Sequence, residues 1–133
     1  MRKLLLLLLV LALNGCAIYD SYFMTGFDGN EYQLITQIRV DASRFVKQCG
    51  SPSATANAVQ IAYETEMFEK YSEQLPRNVD GHKASIELNQ IAQGLQERYE
   101  VGAPVSSAFC RVKYSSIENS AKILQHVIGD RPR

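Results

Sequence analysis

The hydrophobic pattern divides the chain into a leucine run and four helix-length segments. Between Asn30 and Cys49, apolar Leu34, Ile35, Ile38, Ala42, Phe45, Val46 and Cys49 recur three and four apart, the period of one helix face. Gly50 suits the left-handed residue that follows a helix. Ser51 offers an N-cap and Pro52 an N1 proline, so a second helix is predicted to begin at once. It runs to about Leu75, with Ala58, Ile61, Ala62, Phe68, Tyr71 and Leu75 inward, and Pro76 stops it. Asp80 is predicted to cap a third helix carrying Ala84, Leu88, Ile91, Ala92, Leu95 and Tyr99 inward, ended by Gly102 and Pro104. Ser106 or Ser107 caps a fourth, with Cys110, Ile117, Ala121, Leu124 and either Val127 or Ile128 inward, ended by Gly129. No segment alternates with period two for long enough to read as a strand. The short stretch Phe109 to Tyr114 is absorbed into the fourth helix.

Four such helices with short links predict an all-α, antiparallel four-helix bundle over residues 30–133, in up-down-up-down order. The first helix then ends where the fourth begins, and the two are neighbours in the ring. Cys49 and Cys110 fall at that shared end, so one disulfide is expected between them. The alternative is a pair of buried free thiols.

The leucine run is a different kind of element. Met1, Arg2 and Lys3 precede an apolar core from Leu4 to Leu13. Ten helical residues span about 15 Å, half a bilayer, which is a signal-peptide core and not a membrane anchor. The stretch LNGC at Leu13 to Cys16 resembles the bacterial lipobox, with leucine at −3, a small residue at −1 and then cysteine. That resemblance implies cleavage after Gly15, with lipid on the sulfur and the new amino group of Cys16. Ala17 stands where an aspartate would imply inner-membrane retention, so the expected address is the outer membrane. An ordinary secretory signal is the alternative. Residues 1–15 are therefore read as a lipoprotein signal peptide and 16–29 as a lipidated tether. The tether is rich in aromatics (Tyr19, Tyr22, Phe23, Phe27). It is expected either to pack partly on the domain or to lie against headgroups or a partner.

Charge adds little beyond exclusion. Fourteen basic residues balance 14 acidic ones, and removal of Arg2 and Lys3 leaves 12 minus 14, or −2. That is no footprint for nucleic acid. Candidate chemistry is sparse. His82 and His126 both fall at the lower end of the bundle, but no carboxylate motif accompanies them, so no metal is expected. A periplasmic four-helix bundle resembles the b-type haem bundles, and Met24 and His126 sit in loosely comparable places. Met24 lies in the tether and the helices read as fully packed, so no cofactor is expected. Glu64, Glu66, Glu69 and Glu73, mixed with Lys70, read as a solvated face. No nucleophile motif or phosphate loop is present, and the chain reads as a non-enzymatic binding protein.

The segments FVKQCG (Phe45–Gly50) and APVSSAFC (Ala103–Cys110) resemble the helical pilotins of type II secretion, small outer-membrane lipoproteins with a disulfide between the first and last helices of a four-helix fold. The resemblance covers most of the mature chain in pattern and few residues in identity. The family's common mid-chain tryptophan is missing, and the tail GDRPR is not a family feature. The resemblance implies a carrier that holds the C-terminal segment of a secretin subunit in a groove between helices. Apolar residues beyond one core stripe, Val59, Met67 and Ile86, are the candidate groove residues. The competing reading is a phage or prophage envelope lipoprotein, either an outer spanin or a superinfection exclusion factor.

Overall fold

The computed structural model describes residues 25–133, and the expected signal peptide, Cys16, Met24 and most of the expected tether lie outside that range. Among the described residues four α-helices follow one another: α1 (Gly29–Phe45), α2 (Ala54–Gln74), α3 (Val79–Glu100) and α4 (Ser107–Gly129). No strand occurs among the described residues. The order is antiparallel around a ring. Pairs α1–α4 and α2–α3 pack extensively, and the α1–α2 and α3–α4 seams are slighter. Ile35, Ile38, Ala42 and Phe45 of α1 meet Ala58, Ile61, Ala62, Phe68, Leu88, Ala92, Leu95, Ile117, Ala121 and Ile128 in one core. On α4, Ile128 points in and Val127 points out.

The helix ends differ from expectation for identifiable reasons. The α-helical part of the first helix stops at Phe45, and Val46–Gln48 tighten into a 3₁₀ turn, a frequent helix ending. Gly50 follows at φ 88°, as its position predicts, and a Cβ there would stand 2.8 Å from Ser107 Oγ. The left-handed φ is what favours glycine here, and a side chain would in addition have to displace the Ser107 hydroxyl. Ser51 and Pro52 do not open α2. They form a turn in which Ala54 N–H donates to Ser51 O at 3.1 Å, and the helix begins at Ala54. Leu75 is extended (φ −76°, ψ 131°), as the residue before a proline prefers. Asn78, not Asp80, stands at the N-cap of α3, and Asp80 lies in the first turn, where its charge suits the helix dipole. Ser106 caps α4 by accepting from Phe109 N–H at 3.2 Å.

Cys49 and Cys110 are bonded, with Cα atoms 5.8 Å apart. The bridge closes the upper end of the bundle beside Phe45 and Tyr114, whose rings meet edge to face at 5.8 Å. Tyr114 is fully buried and its hydroxyl has no hydrogen-bond partner among the described residues. Burial, with Tyr99 nearby, pushes its pKa up. An unsatisfied buried hydroxyl costs about 1–3 kcal/mol. Tyr114→Phe is therefore expected to match or exceed the wild-type melting temperature. A clear loss in calorimetry would mean that the hydroxyl is satisfied after all.

Candidate functional site

Two grooves follow the two slighter seams. The larger, about 580 Å³, lies between α3 and α4. Val79, Ala84, Ile123, Leu124 and Val127 give it an apolar floor and walls, and Thr25 and Arg131 close its lower end. Val79 and Ile123 are about two-thirds exposed and Val127 about half. These are large apolar side chains that the core does not use. The smaller groove, about 380 Å³, lies between α1 and α2 and is lined by Leu34, Met67 and Tyr71 with Asn30, Gln33 and Gln37.

The three candidate groove residues do not converge. Met67 lines the α1–α2 groove. Val59 and Tyr63 continue the same exposed face of α2 at four-residue intervals. Ile86 is half-buried on α3 and lines neither groove. The α3–α4 groove is lined instead by Ile123 and Val127 of α4, which lie outside the three candidates. On α4, Ile117, Ala121, Leu124 and Ile128 complete the inward stripe. Ile123 and Val127 are then a surplus pair four apart.

Below the α3–α4 groove lies a buried polar clamp. Glu31, at the start of α1, is completely buried. Its Oε1 accepts from Ser72 Oγ at 3.2 Å and from Asn78 Nδ2 at 3.1 Å, and its Oε2 pairs with Arg131. The other arm of the guanidinium donates to Asn78 Oδ1 at 2.9 Å. Asn78 also donates to Ser72 O at 3.1 Å. Its side chain is thus occupied and makes no cap for α3. The tail residue Arg131 ties α1 and the start of α3 to the end of α4, and α2 joins the clamp through Ser72. Beside it, Thr25 donates to Pro76 O and Phe27 N–H donates to Pro132 O at 2.8 Å. Residues 25–28, the end of the predicted tether, therefore pack on the domain.

The glutamate run of α2 is not a uniform solvated face. Glu66 and Glu73 are exposed, but Glu64 is nine-tenths buried. Glu69 accepts from Asn89 of α3 at 2.7 Å. Glu64 points into the α1–α2 seam against Asp41, and both are buried. Period-based reading missed this pair because it scores carboxylates as outward.

Of the histidines, His126 is exposed beside Asp130 (3.5 Å), and His82 lies in the first turn of α3, where its backbone N–H donates to Asn78 O at 2.8 Å. Among the described residues no three His, Cys, Asp or Glu side chains are grouped to hold a metal, and no helix is long and apolar enough to cross a membrane. Comparison of the chain with protein-family models, with curated proteins and with solved structures finds no match.

Proposed function

We propose that the chain is a lipoprotein anchored in the outer membrane through Cys16, facing the periplasm, and acting as a non-enzymatic adaptor of the secretin-pilotin kind. The observation that carries this reading is the apolar groove between α3 and α4. An amphipathic helix presents anchors at i, i+3/4 and i+7, and such a groove can receive them. Val79, Ile123 and Val127 offer the complementary surface at the mouth. A disulfide is at home in an oxidising compartment, which agrees with export. Thr25, where the tether reaches the domain, lines the lower end of the same groove, so a bound segment would sit beside the anchored end.

The test is crosslinking in the native envelope, then purification and mass spectrometry, with Cys16→Ala and Val127→Asp variants. The wild-type chain is expected to fractionate with outer membranes and to capture a secretin C-terminal segment. Cys16→Ala should leave the membrane fraction. Val127→Asp places a charge on an exposed wall, where substitutions usually change stability by less than about 0.5 kcal/mol. It should nevertheless lower capture at least about tenfold, the equivalent of 1.4 kcal/mol. Capture of an inner-membrane coiled-coil protein or of a phage receptor, unaffected by Val127→Asp, would replace the carrier reading with an outer spanin or exclusion factor.

A further inference from the structure

In the α1–α2 seam two buried carboxylate oxygens have no hydrogen bond among the described residues. Asp41 Oδ2 accepts from Gln37 Nε2 at 2.5 Å, and Glu64 Oε1 accepts from Gln60 Nε2 at 2.8 Å. Each carboxyl is thus held by a glutamine one turn earlier on its own helix. The remaining oxygens, Asp41 Oδ1 and Glu64 Oε2, are buried and lack a hydrogen-bond donor. Arg44 approaches Asp41 Oδ1 to 2.8 Å from the exposed side, an ion pair that is not aligned as a hydrogen bond. Across the seam the group facing Glu64 is the Asp41 carboxyl itself. Buried acceptors without donors are rare and costly. One proton held between the two carboxyls satisfies both at once, as when two carboxylates share a site.

We propose that Asp41 and Glu64 share a single proton that latches α1 to α2, and that its loss as pH rises to neutrality and beyond opens the groove along this seam. The charged groups acting on Glu64 are Asp41 and Arg44, both from α1. On the α3 side of α2, Glu69 is occupied by Asn89 and Lys70. Burial first, and then the Asp41 charge, raise the Glu64 pKa from 4.5 to about 7, while Gln60 and Arg44 oppose the rise. Between these two values the folded chain holds a proton that the unfolded chain has released. The stability this proton contributes is therefore fully present below pH 4.5, is lost progressively as pH rises from there to about 7, and changes little above that. The α1–α2 seam is one of the two slighter contacts in the ring, so it is the place where repulsion is relieved. Gln37 couples the latch to the groove, because it donates to Asp41 and also lines the groove with Met67 and Tyr71. The latch does not depend on the proposed adaptor role.

The experiment follows the Glu64 side-chain carboxyl and the Met67 methyl by ¹³C NMR between pH 4 and 9 on the full chain. Both signals are expected to titrate together near pH 7. The folding equilibrium constant should fall on the order of 100-fold between pH 5 and 8. In Glu64→Gln a permanent N–H replaces the shared proton, so the Met67 response and the loss of stability on the approach to pH 7 should both disappear. A Glu64 carboxyl titrating in the ordinary carboxylate range would overturn the latch. So would a Met67 response that persists in Glu64→Gln, or one that vanishes in His126→Gln instead.

Discussion

Cys49→Ser is expected to lower the melting temperature by roughly 15–25 °C, and a reducing agent should do the same to the wild-type chain and nothing further to the variant. The bridge joins residues 61 apart in sequence. On the chain-entropy account a loop of that length contributes about 4 kcal/mol by restricting the unfolded chain. A domain of this size has only about 5–15 kcal/mol in total. Nothing else covalent fixes the upper end of the bundle, where the 3₁₀ turn of Val46–Gln48 hands the chain to a loop. There Asn57 Nδ2 bonded to Gln48 Oε1 at 2.7 Å is the main polar tie. Cys110 is completely buried and Cys49 half-buried, so a lone thiol at either site packs without a charged or bulky intruder, and the loss isolates the covalent constraint. Lipidation at Cys16 uses a different sulfur and should be unchanged. A melting temperature indifferent to both the variant and the reductant would mean that the bundle closes without the bridge.

The helices and the bridge were legible because they are carried by apolar periodicity and punctuation. Ile35, Ile38, Ala42 and Phe45 could only face one way, and Gly50, Pro76 and Ser106 stand where a helix must end or start. What the period cannot register is a polar residue that points inward. Glu31, Asp41 and Glu64 fall on or beside the core stripes of their helices but are scored as surface. Two of the partners, Arg131 for Glu31 and the opposing carboxyl for Asp41 and Glu64, are set by tertiary placement, the first 100 residues away; Arg44 is a neighbour of Asp41 on the same helix. The same blindness shifted the cap of α3 from Asn78 to Asp80, because Asn78 serves the clamp instead of its own helix. The α3–α4 groove was within reach of the sequence. Ile123 and Val127 are one apolar pair too many for α4, the same signal that brought forward Val59 and Met67.

Arg131→Ala is expected to cost about 3–5 kcal/mol, because it leaves the Glu31 carboxylate buried without its countercharge. The guanidinium has two engagements, Glu31 Oε2 through Nη1 and Asn78 Oδ1 through Nη2. A lysine is a single point charge and cannot span both in one plane, so Arg131→Lys should recover less than half of the loss. Removing both charges, as Glu31→Met with Arg131→Met, should cost clearly less than the two single changes added, since no charge is then stranded. Gly81 supplies a test of opposite sign. It lies inside α3, where alanine is normally favoured over glycine by about 1 kcal/mol. A Cβ at that position would stand 2.2 Å from Asn78 Oδ1 and 2.9 Å from Arg131 Nη2. If the clamp governs this end of the bundle, Gly81→Ala destabilises in spite of propensity, and combining it with Arg131→Ala adds little further loss. If instead Gly81→Ala stabilises, or if Arg131→Ala melts within a few degrees of wild type, the tail merely rests on the bundle. The lower ends of α1, α2 and α3 would then be held by the apolar core alone.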